Sequence, residues 1–240
     1  MVVTVLFMVL MAILAGFWLS RQGLASKPWL EVGPGAEIAG AVPSPTPAAK
    51  VGLGVFLVVA GSLFSLLVSA YSMRMQMGDW RALPMPPTLW FSTGLLVLAS
   101  IAMHMAVIAA RCDEIGHLRS SLLAAGACSL AFLATQALAW RELAAAGYFS
   151  AANPAGAFFY LVTAIHGAHV LGGLVALGRT GARAFAASTA GSRSAIGRLT
   201  LGVELCALYW HFLLLVWLVL FSLLMNWTDD IIAICRGLLS

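Results

Sequence analysis

Four side chains in this sequence have the types and spacing for chemistry inside a membrane. His166 and His169 lie in the apolar run AFFYLVTAIHGAHVLGGLVALGR, Ala157 to Arg179; Glu204 and His211 lie in ELCALYWHFLLLVW, Glu204 to Trp217. Ionisable groups in a hydrocarbon core are costly and face a protein interior or a cavity. His166 and His169 are three residues apart and share one helix face. Glu204 precedes His211 by two turns, so it shares that face but lies roughly 10 Å nearer one membrane surface. Imidazole and carboxylate are ligands for zinc or iron, so an intramembrane metalloenzyme is one reading and a transporter's polar path another. A tight metal site needs three or four converging ligands with outer support, and Glu204 is too far from His211 to complete one. Spacing favours a polar seam of hydrogen bonds between the two helices, with no catalytic residue, cofactor or metal held by this chain.

The remaining candidates are weaker. Trp210 sits beside His211 and adds aromatic surface to the same helix. Arg74, Asp79, Trp80 and Arg81 cluster around the stiff loop GDWRALPMPP. They suit either interfacial anchoring or contact with a partner subunit or a lipid headgroup, since the arginine fork matches carboxylate and phosphate. His104 reads as a packed or snorkelling residue near a helix end, and the RCDEIGHLR stretch after it as a solvated loop. Gln136 can hydrogen-bond across helices, and Gly167, Gly172 and Gly173 allow another helix to come close. No Cys-x-x-Cys pair occurs. Cys112, Cys128, Cys206 and Cys235 do not pair within one oxidising compartment, so no disulfide is expected.

The elements that must carry these residues are membrane spans. Of 240 residues, 62% are apolar and only 9% charged, against about 25% charged in soluble domains. A net charge of +4 spread between apolar runs sets topology and is no signal for nucleic acid. Runs long enough to cross a bilayer fall at Val2–Leu19, Val51–Met73, Thr88–Ala110, Ser121–Trp140, Ala157–Gly178 and Leu199–Trp227. The expected fold is therefore all-α, a polytopic bundle of about six transmembrane helices. Its expected parts are an N-terminal anchor (1–20), a Pro/Gly/Ala-rich connector (21–50), a five-helix membrane domain (51–227) and a short outer tail (228–240). The first span has no basic residue before it and reads as an uncleaved anchor. Arg21, Lys27, Lys50, Arg111, Arg119, Arg179, Arg183, Arg193 and Arg198 lie on one side; Arg74, Arg81, Arg141 and Arg236 lie on the other. The positive-inside rule puts the first group in the cytoplasm, with both termini outside, which in a bacterium is the periplasm.

With these spans in place, FFYLVTAIHGAHVLGGL and ELCALYWHFLLLVWLVLF resemble the last two transmembrane helices of subunit III of haem–copper oxidases. The pattern there is His-Gly-x-His-Val, then Glu followed by Tyr-Trp-His-Phe. SAYSMRM, DWRALPMPPTLWFSTGLLVLAS and QALAWRELAAAGYFSAANPAGAFFY are similar to the preceding helices and loop, so the resemblance covers about Lys50 to Trp227.

The resemblance implies a non-catalytic accessory subunit of a respiratory terminal oxidase, cytochrome c oxidase, in the bacterial plasma membrane. It implies oxidase subunits I and II as partners, with haem and copper in those partners, and phospholipids held in a cleft between two helix groups. It also implies support for O2 access and sustained proton uptake in an enzyme that reduces O2 to water and pumps protons. A nitric oxide reductase or a quinol oxidase would use an equivalent subunit. Two departures mark a divergent branch. Ala60 stands where many members carry an intramembrane glutamate, and Leu214 where many carry an aspartate. The first span and connector also differ from the family's usual two-helix beginning.

Overall fold

The computed structural model describes residues 48–81, 83–148, 153–186 and 193–225, together with Val9 and Ile13. Most of the expected first span, most of the connector and the outer tail lie outside the described residues. Among the described residues every regular element is a helix: α1 (Ala48–Arg74), α2 (Thr88–Arg111), α3 (Ile115–Ala145), α4 (Pro154–Ala186) and α5 (Arg193–Leu224). All five contain segments long and apolar enough to cross a membrane. The contact pattern divides the chain between Ser65 and Leu66, inside α1, and the bundle described below is that of Leu66 onward.

In that bundle α3 packs on α2 and α4, while α5 packs on α2 and α4. The core is filled by large side chains, with Trp210, Trp217, Phe132, Phe159, Leu89, Leu96 and Met103 fully buried. Large apolar residues such as Leu98, Leu130, Leu161 and Leu171 point outward, as a bundle in lipid requires: tails are as apolar as leucine, so nothing drives these side chains inside.

Local chemistry sets the helix ends. Pro84, Pro86 and Pro87 disfavour helix before α2. At the end of α2, Asp113 adopts φ 58 and the Glu114 N–H reaches the Ala109 carbonyl at 3.0 Å, a Schellman closure with an aspartate in the left-handed position. The end of α3 repeats it with Gly147 at φ 84, where Tyr148 N–H bonds the Leu143 carbonyl at 3.0 Å and Gly147 N–H the Ala144 carbonyl at 3.1 Å. α4 opens on Asn153-Pro154. Asn153 Oδ1 accepts the Ala155 N–H at 3.1 Å, and proline at the first helical position has no N–H to leave unpaired.

α3, α4 and α5 exceed the apolar runs that predict them. They have 31, 33 and 32 residues, so each is about 45–50 Å long against a hydrocarbon core of about 30 Å. The stretch read as a solvated loop after Arg111 is therefore only a tight turn. Ile115, Gly116, His117, Leu118 and Arg119 already belong to α3, because a helix continues past the lipid as long as its backbone bonds are met.

Candidate functional site

The bundle is tied by hydrogen bonds that pair a side chain on one helix with a hydroxyl or charge on the next. Three use tryptophan. Trp140 Nε1–H on α3 donates to Thr163 Oγ1 on α4 at 3.0 Å. Trp210 Nε1–H on α5 donates to Ser129 Oγ on α3 at 2.9 Å. Trp217 Nε1–H on α5 donates to Thr93 Oγ1 on α2 at 2.9 Å. Each accepting hydroxyl passes its own proton to a carbonyl of its own helix: Thr163 to Phe159, Ser129 to Ala125 and Thr93 to Leu89. Indole N–H and hydroxyl groups are thus satisfied in pairs, as buried polar groups must be. Gln136 on α3 adds a fourth tie, donating Nε2–H to Ser92 Oγ on α2 at 2.9 Å.

The ionisable candidates sit on two different helix interfaces. His166 is fully buried, with its ring 5.1 Å from that of Trp217 and 5.7 Å from that of Phe132. It faces α5 and α3 through aromatic contact. His169 donates Nδ1–H to the Ile165 carbonyl of its own helix at 2.8 Å. Its backbone carbonyl accepts the Tyr209 hydroxyl at 2.8 Å.

His211 faces α2: its Nδ1 lies 2.5 Å from Ser100 Oγ, and its ring is 6.0 Å from that of His104. Glu204 also faces α2, where Arg111 Nη2 and Nε approach Oε1 at 2.8 and 3.1 Å. The α4 histidines thus lie against α5 through Trp217 and Tyr209, while Glu204 and His211 face away from α4. One face of α5 meets α4 through Tyr209 and Trp210; the ridge bearing Glu204 and His211, two turns apart, meets α2. Among the described residues no three His, Cys, Asp or Glu side chains converge as metal ligands.

The α2–α5 contact is antiparallel and laced along its length, by Trp217–Thr93, His211–Ser100 and Glu204–Arg111 in turn. Thr200 Oγ1 to the Ala110 carbonyl, at 3.4 Å, extends the lace at the same end as Arg111. α4 lies so close to α5 that a Cβ on Gly173 would come within 2.7 Å of Tyr209 Cε1 and 3.0 Å of Trp210. Glycine here is a requirement of approach.

At the opposite end from Arg111, Arg74 grips Asp79 with both terminal nitrogens, Nη1 to Oδ1 at 2.7 Å and Nη2 to Oδ2. The hydrogen bonds from Arg74 hold the Asp79 carboxyl below its ordinary range. Trp80 stacks edge-on against Tyr71 at 4.9 Å, and Phe158 of α4 completes the cluster at 5.8 Å from Tyr71. Arg81 is exposed and contributes its carbonyl, which accepts Asn153 Nδ2–H at 3.0 Å. The loop is thereby latched to the start of α4. Arg119, in the turn-proximal part of α3, caps α4 by donating to the carbonyls of Ala184 and Phe185 at 3.0 and 3.2 Å.

The bundle α2–α5 lies within residues 83–229, the stretch matched by the family model Cytochrome c oxidase subunit III. The chain belongs to the cytochrome c oxidase subunit III family. A relative from Mycobacterium tuberculosis, "Probable cytochrome c oxidase subunit 3", is 33% identical over 187 residues, 73% of this chain and 86% of that protein. One of the same name from Mycobacterium bovis matches to the same extent. "Cytochrome c oxidase subunit 3" of Thermostichus vulcanus is 28% identical over 179 residues, 72% of this chain and 85% of the relative. The protein is thus a multi-pass membrane subunit of an oxidase. Within the bundle, Leu214 is half-buried.

Sequence reasoning missed Ser100, Arg111, Thr93, Ser129 and Thr163 as partners. The available signal was a hydroxyl residue inside an apolar span together with a tryptophan in another. Such pairs are needed wherever an indole N–H is buried.

Proposed function

We propose that this chain is the non-catalytic accessory subunit of a bacterial cytochrome c oxidase. In this role it packs against the catalytic subunit I, in a complex that also contains subunit II, orders phospholipids and lines an apolar route for O2. The observation that carries the reading is the family match over α2–α5. The engagement of His166, His169, Glu204, Trp210 and His211 in contacts that hold helices together supports it. Haem and copper then belong to the partner subunits, and O2 reduction with proton pumping is carried out there. Oxygen is apolar, so a path lined by lipid and by the outward leucines favours it over water. In this reading Arg111, Arg119 and Arg183, at the basic ends of α2, α3 and α4, lie on the cytoplasmic side of the plasma membrane, as the positive-inside rule favours. Arg74, Asp79, Trp80 and Arg81 then meet lipid headgroups or a partner at the outer surface.

Purification in mild detergent, with mass spectrometry of partners and lipids and metal analysis of each subunit, tests this. The expected result is copurification with a haem–copper subunit and a subunit holding a dinuclear copper site. Stoichiometric iron, zinc or copper bound to this chain and lost on His166→Ala would show the accessory role to be wrong.

A further inference from the structure

The middle tie of the α2–α5 lace, His211–Ser100, reaches the bundle surface. His104 and His211 are both exposed on the bundle surface, although each lies well inside a span. Ser100 is buried, and among the described residues the only acceptor within reach of its hydroxyl is His211 Nδ1, at 2.5 Å. A buried hydroxyl that donates nothing is costly, so the Ser100 O–H donates to Nδ1 and the His211 proton resides on Nε2. His211 is exposed, and no hydrogen-bond partner for that N–H, or for either ring nitrogen of His104, exists among the described residues. Lipid tails offer no acceptor, so an unmet polar group at this depth is unfavourable.

We propose that the α2–α5 face centred on His211 and His104 is the docking surface for a transmembrane helix of a partner subunit that presents an oxygen acceptor, a carboxyl, amide or hydroxyl side chain, to the two imidazoles. The geometry selects the chemistry of the partner. Ser100 fixes a donor on His211, so the incoming group accepts, and His104 supplies a second nitrogen beside it. The apolar rim is ready for a helix: Ile101 and Ile108 share the face of His104 on α2 and are exposed, while Leu218 continues the Glu204–His211 ridge on α5 and is exposed too.

The inference rests on membership in an oxidase complex, and the test separates the two. A photo-crosslinking residue is placed at Ile101 or Ile108, and at Leu130 or Leu161 as controls on α3 and α4, and the complex is isolated through another subunit. Failure of the unmodified chain to copurify overturns both readings. With the complex in hand, the expected result is an adduct from positions 101 and 108 to an apolar segment of a partner subunit, within a turn of an Asp, Glu, Asn, Gln, Ser, Thr or Tyr. Adducts only to lipid, to a second copy or within the chain itself overturn the docking face and leave complex membership standing. His211→Leu should lower retention in the complex about threefold, on the scale of one interhelical hydrogen bond in a membrane. His211→Gln, which keeps a donor, should restore most of it. Replacing the crosslinked partner's polar residue with an apolar one should remove the difference between His211 and Leu. If the His211→Leu effect stays the same in that background, the hydrogen bond does not exist.

Discussion

Arg111 and Glu204 close one end of the α2–α5 contact, with Nη2 2.8 Å from Oε1. Arg111 is 65% exposed and Glu204 28%, so the pair sits at the margin of the bundle, where solvent weakens the attraction. A pair of this kind contributes about 0.2–1 kcal/mol. Arg111→Leu and Glu204→Gln should each lower thermal stability in detergent by that amount, and the double variant by little more than either. Full additivity of the two losses would mean that the residues do not act as a pair.

Two adjacent glycines on α4 should respond in opposite ways. Gly173→Ala drives a methyl to 2.7 Å from the Tyr209 ring and 3.0 Å from that of Trp210, both packed against α4. Overpacking of this kind costs about 1–3 kcal/mol. A Cβ on Gly172 would meet nothing within 4 Å, and alanine gains up to about 1 kcal/mol in helix propensity. Melting curves of the two variants under one detergent condition check this: Gly173→Ala should melt lower than the parent and Gly172→Ala no lower.

The spans were legible because charges and prolines punctuate them. α2 runs Thr88–Arg111 against an expected Thr88–Ala110, bounded by Pro87 and the Arg111 turn. The start of α3 was not legible, since His117 and Arg119 look like loop residues although a helix extends beyond lipid without strain. Helix partnership was hidden for a deeper reason. In a membrane both lipid-facing and buried faces are apolar, so periodicity does not say which neighbour a ridge meets. The face shared by Glu204 and His211 was readable from their spacing; that it meets Ser100 and Arg111 on α2, leaving His166 to Phe132 and Trp217, required the packing. That His104, read as a packed or snorkelling residue, stands beside His211 was hidden for the same reason.

The Arg74–Asp79 latch gives a pH dependence outside the membrane. Hydrogen bonds from Arg74 lower the Asp79 pKa in the folded protein, so the folded state favours the carboxylate. The resulting stability is present above the ordinary carboxylate pKa and is lost as pH falls through the lowered one. Asp79→Asn should therefore melt slightly below the parent at neutral pH, and the gap should shrink as the solution is acidified below the usual aspartate range. A gap that is constant with pH would mean that the carboxylate's charge contributes nothing to the latch. Salt should narrow the neutral-pH gap as well, because the pair is exposed and screened.

The tryptophan ties make a prediction about which partner matters more. Ser129 both accepts from Trp210 at 2.9 Å and donates to the Ala125 carbonyl at 2.7 Å, and both Ser129 and Trp210 are fully buried. Ser129→Ala removes one oxygen and leaves the Trp210 N–H facing α3 without an acceptor. The Ala125 carbonyl keeps its helical bond, so the main loss is the unmet indole, about 1–3 kcal/mol. Thr93→Val should act in the same way on Trp217, with less disturbance of packing because valine matches threonine in shape. Trp210→Phe, by contrast, loses ring volume from a fully buried site as well as the N–H, and should cost about 1–3 kcal/mol or more from the void. Combining Ser129→Ala with Trp210→Phe then decides the matter. If the hydrogen bond is the coupling, the double variant should be no less stable than Trp210→Phe alone, because no indole N–H remains to be left unpaired. Thermal unfolding of the three variants in one detergent measures this, and a double variant that loses the full sum of both single effects would assign the Ser129 contribution to packing.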